Sequence, residues 1–467
     1  MPNASRSWDT DFDTDDGRLR RVGFWLRLRK SGGHFNLIVE LVSGGIWTSN
    51  VPEYLADIGL LPPDAPRGEI GAILPEELRP CYIVDVTCRQ KRLSLDGVSA
   101  IVKLNTGRIT AADREAPVAE IEFGLLIGSP TIMLQEARAL LGRYRLAVGA
   151  SSHTARGEEL LAGSPPSALK AVKPELAPSD SIEQAVAKII AITTAQIIGN
   201  IAAAGDGRDP EGVHQLRVSL RRLRSAFALF RNHLSTGATA LDSAARLALK
   251  SLSPARDIDV LLLETIPPVQ DGDDGSRGLL RLAQIAESRR RIAYTDVRKL
   301  VQNRDFNRFL IDLQLAVAER GLVETGGADS LGPTAAALLD KRHRKALKTG
   351  RHFANLTYTQ RHEVRIALKK LRYACDYFQS LFPGKATRVY LKSLARLQDD
   401  LGRLNDATVA EDLVDLLAEG DTTAATGAAL VKGWYRHRLK AVEPKMLADW
   451  NRFTEARPFW KSEKNRD

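Results

Sequence analysis

The sequence contains little of what several common kinds of functional site require. Only 6% of its 467 residues are aromatic, which disfavours a surface that stacks exposed nucleic-acid bases. Its three cysteines, Cys81, Cys88 and Cys375, are odd in number and scattered, so they fit neither a metal pattern nor a disulfide framework. That cysteine content fits a reducing compartment. The sequence also has no glycine-rich phosphate loop of the Walker type.

The sequence shows no pattern typical of a secretory signal or a membrane span. Residues 1–16 are acidic and polar, whereas a secretory signal places a basic stretch before an apolar one. The most apolar stretch, residues 186–204, is interrupted by Lys188, Gln196 and Asn200, so it predicts a buried helix. We therefore expect a cytoplasmic protein without membrane insertion.

Charge and length narrow the possibilities further. Lys and Arg outnumber Asp and Glu by 67 to 57, and the net charge of +10 suits a polyanionic partner without naming one. A chain of 467 residues is too long for one hydrophobic core, so two or three domains are expected.

The chain changes character along its length. Residues 17–125 read as short strands separated by turn residues, and residues 146–178 are rich in Ala, Ser, Gly and Pro, as linkers are. From residue 179 onward, apolar residues recur at helical spacing almost throughout. We therefore predict a mainly α protein with a smaller α+β domain in front. The predicted boundaries are 1–145 for the first domain, 146–178 for the linker, and 179–467 for a helical domain whose two pseudo-repeats cover about 179–325 and 326–467.

One basic helix pattern occurs twice in the helical half, and each copy begins with a histidine. The offset between the copies is 362 − 214 = 148 residues. At 100° per residue, the histidine and the cations at i+3, i+7 and i+10 fall within about 80° of one another on the helix. Each helix therefore carries a column of mutually repelling positive charge beside an apolar stripe. The first copy comprises His214, Arg217, Arg221, Arg222 and Arg224, and the second comprises His362, Arg365, Lys369, Lys370 and Arg372.

Two interpretations of this pattern compete. A basic column on a single helix is usually a solvated face, and a single histidine is usually a hydrogen-bonded packing residue. Repetition of the same residue classes at the same spacings favours a site for an anion instead. Duplicated helical units would pair about a pseudo-twofold axis into a bundle, with the two basic columns facing one groove.

Other charged residues in the helical half are open to the same two interpretations. Lys341, Arg344 and Lys348 are spaced i, i+3 and i+7, and Lys392 and Arg396 are spaced i and i+4. Each group by itself is typical of a solvated face, but together they could line a long positive track.

Three aspartates, Asp257, Asp259 and Asp406, break the basic pattern. They could bind a metal ion, but helix capping or pairing with neighbouring arginines is the favoured interpretation.

With these motifs, the helical half resembles a known family, the CHAD family of duplicated α-helical domains. The resemblance rests on residues 214–230, 255–260, 362–377 and 397–406, and it covers about residues 179–460. It implies an antiparallel helical bundle whose basic central cavity binds inorganic polyphosphate, and hence association with polyphosphate granules. By this resemblance the cavity would be lined by His214, Arg217, Arg221, Arg224, His362, Arg365, Lys369 and Arg372. Arg222 and the basic residues of the possible track complete the predicted binding surface.

The N-terminal part resembles the CYTH family, whose fold is the triphosphate tunnel. The resemblance rests on residues 12–16 (FDTDD), 26–29 (LRLR) and 120–122 (EIE). It implies a partial β-barrel in which inward Arg and Lys hold phosphate oxygens and inward Glu holds a divalent cation. Arg27 and Arg29 would be remnants of the first kind, and Glu120 and Glu122 of the second.

Several departures from the CYTH pattern predict a degenerate tunnel without catalysis. The family opens with a Glu-x-Glu-x-Lys strand, and we predict no opening strand here. The strand after the Arg pair carries Glu40 where a cation belongs, and the family's Asp-x-Gly turn reads Asn105-Thr106-Gly107. We also expect the strand that carries Glu122 to be shortened. Loss of these groups would remove metal binding and transition-state stabilisation.

Together with these resemblances, the sequence predicts a protein that binds inorganic polyphosphate or a similar polyanion, with no catalytic residue, no metal site and no cofactor. One alternative is a weak metal-dependent tri- or polyphosphatase of the CYTH class. A second alternative is a nucleic-acid-binding protein, because phosphate contacts on basic helices look alike in all these cases.

Overall fold

The computed structural model describes residues 4–73, 78–95, 97–270, 276–324 and 330–461, and it divides into two compact units. One unit combines Met1–Glu136 with Ala150–Pro166, and the other combines Ala137–Gly149 with Ser167–Asp467. Part of the segment with linker composition therefore belongs to the first unit. The predicted boundary between the pseudo-repeats, near residue 325, lies outside the described residues.

The first unit is built on a seven-stranded antiparallel sheet with the strand order β4-β3-β2-β1-β5-β6-β7. The chain thus forms one meander on each side of β1. The strands are β1 (Ala4–Asp13), β2 (Phe24–Ser31), β3 (His34–Leu41), β4 (Ile46–Val51), β5 (Arg79–Leu95), β6 (Val98–Ala111) and β7 (Arg114–Ile127).

Three expectations about this sheet are wrong. An opening strand exists: β1 carries Asp9, Asp11 and Asp13 at alternating positions, and all three are buried. The segment 105–107 does not form a turn, because it lies inside β6 and pairs with β7. The strand that carries Glu122 is not shortened, since β7 runs for 14 residues.

The two faces of the sheet have different chemistry. Leu26, Leu28, Leu37 and Val39 lie on one face and pack with Leu19 and Ile70 in a small apolar core. The other face carries charged residues of β1 and β2 and an apolar cluster around Tyr82, Val84 and Val86 of β5, and a helix at His153–Ala162 lies against it. This difference between the faces follows from the strand period of two. The helices of this N-terminal region, in chain order, are α1 (Arg18–Arg21), α2 (Arg67–Ile73), α3 (Thr131–Arg143) and α4 (His153–Ala162).

The second unit is helical. Its helices are α5 (Ile182–Gly199), α6 (Ile201–Asp206), α7 (Glu211–Leu229), α8 (Gly237–Val260), α9 (Pro267–Gln270), α10 (Arg277–Val301), α11 (Arg304–Ala318), α12 (Leu331–Thr349), α13 (Tyr358–Phe378), α14 (Lys385–Ala418) and α15 (Thr422–Glu455). Capping boxes at Ser181–Gln184 and Thr357–Gln360 begin α5 and α13. The mainly α class with a preceding antiparallel sheet is confirmed, whereas the partial barrel and the duplication stay predictions.

Within the described part of the chain, one helical stretch, Ile182–Asp206, is long and apolar enough to cross a membrane by length and composition. However, 56% of its most apolar window is buried inside the protein. Ile189, Ile190 and Ile197 belong to the main core of the helical unit, as expected for a core helix.

A buried ion pair joins α8 to α10. Asp259 is fully buried and accepts hydrogen bonds from Arg290 Nε and from Tyr294 Oη, both at 2.7 Å. We expect Asp259→Ala to lower the free energy of unfolding by about 3–5 kcal/mol, because it leaves the Arg290 guanidinium without its carboxylate and the Tyr294 hydroxyl without its acceptor. Urea unfolding followed by circular dichroism measures this loss. If stability were unchanged, the pair would not contribute to the packing of α8 on α10.

Candidate functional site

The two His-basic helices of the sequence pattern are α7 and α13, and they pack against each other. The rings of Phe230 and Phe378, just after α7 and at the end of α13, meet edge to face with centroids 5.9 Å apart. Tyr377 Oη donates a 2.6 Å hydrogen bond to the carbonyl oxygen of Arg222. Leu216, Leu220 and Leu223 bury the apolar stripe of α7, so its basic column lies on another side of the helix.

Four cations from these helices, Arg217, Arg221, Arg365 and Lys369, form what we call the basic cluster. Burial and the neighbouring guanidinium groups of Arg365 and Arg221 lower the pKa of Lys369 to about 8, and Arg217 acts in the same direction. The shift is large because the ammonium group is close to charges from both helices. The structure therefore brings together cations that lie 148 residues apart in the sequence.

The basic cluster is only partly neutralised. Among the residues that the structure describes, no carboxylate lies within 4 Å of the nitrogens of Arg221 or Lys369. The Nε atoms of Arg221 and Arg365 are buried, and neither has a hydrogen-bond partner in the described part of the chain. Arg217 is anchored to α8 through a 2.6 Å hydrogen bond to Ser253 Oγ. These donors are available to an acceptor from outside the chain, such as water or an anion.

Two of the three aspartates flank this cluster. Asp406 Oδ1 lies 3.8 Å from Arg365 Nη2, and burial raises the pKa of Asp257 although Arg217 and Arg256 act in the opposite direction. Asp259 does not contact the basic cluster, because it forms the buried pair with Arg290 of α10. The described residues contain no group of three or more His, Cys, Asp or Glu side chains arranged to hold a metal ion. Pairing with arginine is therefore what Asp259 and Asp406 do.

The histidines that begin the two columns differ in their surroundings. Burial, and then the charge of Arg256, lower the pKa of His214. His362 is half-buried near the start of α13. Arg256, which forms a 3.0 Å ion pair with Glu264, is a site residue absent from the predicted set. The sequence feature that could have pointed to Arg256 is its position directly before Asp257.

Three other members of the columns are engaged within the protein. Arg222 is buried, donates to the carbonyl of Val172 and lies over the ring of Tyr377, so it serves packing and is inaccessible to a ligand. Arg224 pairs with Asp242 at 2.8 Å. Arg372 pairs with Asp376 at 3.3 Å.

The residues of the possible track lie on exposed helix faces. Lys341, Arg344 and Lys348 are exposed on α12, where Arg344 pairs with Asp340 at 2.9 Å. Lys392 and Arg396 are exposed on α14.

In the first unit, the two tunnel-like arginines are neutralised by the opening strand. Arg27 forms two 3.0 Å hydrogen bonds with the carboxylate of Asp11, and Arg29 bonds to Asp9 at 2.9 and 2.6 Å. The antiparallel register of β1 and β2 creates both pairs, because Asp9 lies opposite Arg29 and Asp11 opposite Arg27. Bidentate pairs of this kind leave little positive charge for a phosphate.

Helix α4 covers the same charged face of the sheet. Thr154 Oγ1 accepts from Arg27 at 2.7 Å, and Glu120 Oε1 lies 2.6 Å from Nε2 of His153. His153, with Asn105 and Arg156, lowers the pKa of Glu120. Glu122 lies 3.5 Å from Lys103. The four residues expected to be tunnel remnants therefore all have partners within this unit.

Comparison with known proteins agrees with the helical geometry. A family model, the CHAD domain, matches residues 188–415. These residues form a CHAD domain. The match begins in α5 and ends in α14, so it contains both His-basic helices and the whole basic cluster.

Two solved structures are similar to this chain. The CHAD domain from the plant Ricinus communis is 27% identical, with a TM-score of 0.55, and the match covers 62% of this chain and 98% of that chain. PptA from Streptomyces chartreusis is 16% identical, with a TM-score of 0.44, and the match covers 58% of this chain and 100% of that chain. The first of these supports the fold assigned to the CHAD domain.

Proposed function

We propose that the CHAD domain binds inorganic polyphosphate along the basic cluster without catalysis. The observation that carries the proposal is the convergence of Arg217, Arg221, Arg365 and Lys369 from two helices, with buried donors that lack partners in the described chain. A linear polyanion offers closely spaced oxygens to such a cluster and releases its counterions on binding. Association with polyphosphate granules in the cytoplasm follows as part of the same proposal.

The tunnel resemblance of the N-terminal sheet belongs to the proposal as well. We infer a divergent CYTH-like domain whose polar face no longer binds triphosphate. This inference is supported by the pairing of Arg27 with Asp11, the pairing of Arg29 with Asp9, and the position of α4 against that face.

The binding proposal is tested by one competition titration at physiological salt. A fluorescent long-chain polyphosphate is bound to the full-length protein and displaced with unlabelled polyphosphate, ATP or single-stranded RNA. We expect unlabelled polyphosphate to be the strongest competitor, since the cluster provides charge without a platform of stacked aromatic rings. Stronger displacement by RNA would favour the nucleic-acid alternative and contradict the proposal.

A separate prediction concerns hydrolysis. We expect no release of phosphate from ATP or tripolyphosphate above background with Mg²⁺ or Mn²⁺. In-line hydrolysis needs a bridging divalent ion and a positioned water. The carboxylates of Glu120 and Glu122, which would hold such an ion, are paired with His153 and Lys103 instead. Phosphate release by the purified protein is compared with that of an Arg27→Ala/Glu120→Ala variant. Metal-dependent turnover that disappears in this variant would make the N-terminal unit an enzyme.

A further inference from the structure

A cleft in the helical unit lies among the C-terminal end of α7, α12 and α13. Its volume is about 300 Å³, and its lining combines apolar side chains such as Leu229 and Leu338 with several cations. The four cations are Arg231, Lys341, Arg342 and Lys370. None of the four belongs to the basic cluster.

Shifting the cleft residues by 148 positions along the sequence points to a second place in the helical unit, around Arg222, Gln379 and Ser380. Residues 172–176 of the same chain occupy that place. Val172 O accepts from Arg222 at 2.9 Å, and Lys173 Nζ donates to Gln379 at 3.0 Å. Leu176 exchanges two hydrogen bonds, at 3.0 and 3.1 Å, with Ser380 Oγ. Residues 172–176 thus form an irregular segment that binds mainly through main-chain groups.

The residues that bind this segment have counterparts in the cleft. The binding residues are Arg222, Asp376, Gln379 and Ser380, with Asp376 lying 3.9 Å from Lys173. Adding or subtracting the offset (370 − 222 = 376 − 228 = 379 − 231 = 380 − 232 = 148) gives Lys370, Ala228, Arg231 and Asn232. All four counterparts line the cleft. The cleft therefore matches a site that already accommodates a peptide segment in the same molecule.

Residues 322–324, which correspond by the offset to 174–176, make different contacts. Leu322 O accepts from Ser235 N at 3.0 Å, and Glu324 N donates to His233 O at 3.0 Å. These residues pair beside the cleft instead of repeating the contacts of residues 172–176. Among the described residues the cleft is open, whereas residues 172–176 cover its counterpart.

The two places differ in charge: the filled one has a carboxylate, whereas the lining of the cleft has four cations and no carboxylate among the described residues. The filled place presents Asp376 to a lysine of the inserted segment, whereas the cleft has Ala228 there and Arg231 in place of Gln379. Arg342 adds a further charge that is fixed by a 2.7 Å hydrogen bond to the carbonyl of Ala228. Burial, and then the nearby Arg231, lower the pKa of Arg342, so its positive charge is held at a cost. An acidic occupant relieves that repulsion.

We propose that this cleft docks an irregular acidic segment of a partner polypeptide. Lys370 replaces Arg222 as a donor to a main-chain carbonyl, and Asn232 replaces Ser380 as a group that both donates and accepts. Leu229 and Leu338 offer an apolar surface to a side chain between the acidic ones. A bare phosphate chain uses the cations but neither the apolar surface nor the amide.

The test uses two fluorescein-labelled pentapeptides and the full-length protein. The acidic probe, Val-Glu-Pro-Glu-Leu, follows residues 172–176 but carries Glu in place of the lysine; the basic control is Val-Lys-Pro-Lys-Leu. We expect fluorescence polarisation to show binding of the acidic probe and at least about tenfold weaker binding of the control. Lys341→Glu/Lys370→Glu should weaken the acidic probe by about tenfold or more. Lys385→Glu, an exposed charge reversal at the start of α14, should not change it.

The proposal is independent of polyphosphate binding at the basic cluster. Arg221→Glu/Lys369→Glu should therefore weaken peptide binding much less than Lys341→Glu/Lys370→Glu does, since only long-range, salt-screened electrostatics connect the basic cluster to the peptide. Equal binding of both peptides, or binding of the acidic probe that Lys341→Glu/Lys370→Glu does not reduce, would overturn the proposal. Tripolyphosphate binding that is lost in Lys341→Glu/Lys370→Glu, together with displacement of the peptide by tripolyphosphate, would also overturn it and assign the cleft to phosphate.

Discussion

Reversing both charges at the centre of the basic cluster, with Arg221→Glu and Lys369→Glu together, is expected to weaken polyphosphate binding by about two orders of magnitude or more. The change removes one cation from each helix and places carboxylates where phosphate oxygens would lie. Juxtaposed like charges cost several kcal/mol, and each 1.4 kcal/mol is about a factor of ten in affinity. Isothermal titration of the full-length protein with long-chain polyphosphate at physiological salt measures the loss.

The fold should survive this double change, because the new carboxylates can pair with Arg217 and Arg365. The matched control is Arg289→Glu/Lys385→Glu, which makes the same change in net charge at two exposed positions. We expect the control to bind almost as tightly as the parent protein. The logarithmic salt dependence should lose about one unit of slope per cluster cation removed. Unchanged affinity in the cluster variant, or an equal loss in the control, would mean that binding follows net charge alone.

The second large effect concerns pH. The pKa of Lys369 is lowered to about 8, so this side chain is half deprotonated at that pH when no anion is bound. A bound polyanion favours the charged ammonium and raises its pKa again, so binding takes up a proton above pH 8. Affinity should therefore fall by up to about tenfold for each pH unit above 8, and the contribution of Lys369 should be constant below it.

The matched variant for this prediction is Lys369→Arg, because a guanidinium keeps its charge throughout the accessible range. We expect its affinity to vary much less between pH 8 and 9.5 than that of the parent protein. Titrations at several pH values and constant ionic strength give the comparison. Parallel profiles for the two proteins would show that Lys369 is not the group that takes up the proton.

The sequence was sufficient to predict the His-basic helices, because their signal is local. Apolar stripes at helical spacing and capping residues determine where α7 and α13 lie, and the repeated cations mark the face that meets in the structure. The partners of Arg222 could not be predicted from the helix pattern alone. It follows Arg221 directly, but 100° of helix rotation turns it toward Val172 and Tyr377, and only tertiary packing reveals that partner.

The N-terminal unit was harder to predict, for two physical reasons. Strand β1 is rich in aspartate, which strands usually disfavour, and its carboxylates are tolerated because Arg27 and Arg29 lie opposite them. Those pairs depend on the register between β1 and β2, which cannot be read from the order of the residues in the sequence. Helix α4 was obscured by the Gly, Ser and Pro around it, although Ser152 and Gly163 are ordinary capping signals at its two ends.

Lysine footprinting with and without polyphosphate tests most directly whether polyphosphate binds at the basic cluster. At pH 8 the free amine of Lys369 should react readily with an acylating reagent, and mass spectrometry quantifies each modified lysine. We expect saturating long-chain polyphosphate to lower acylation of Lys369 by about fivefold or more, since binding raises its pKa by about one unit or more, while exposed Lys385 is unaffected. Equal acylation of Lys369 in both samples, under conditions where polyphosphate is bound, would contradict binding at the basic cluster.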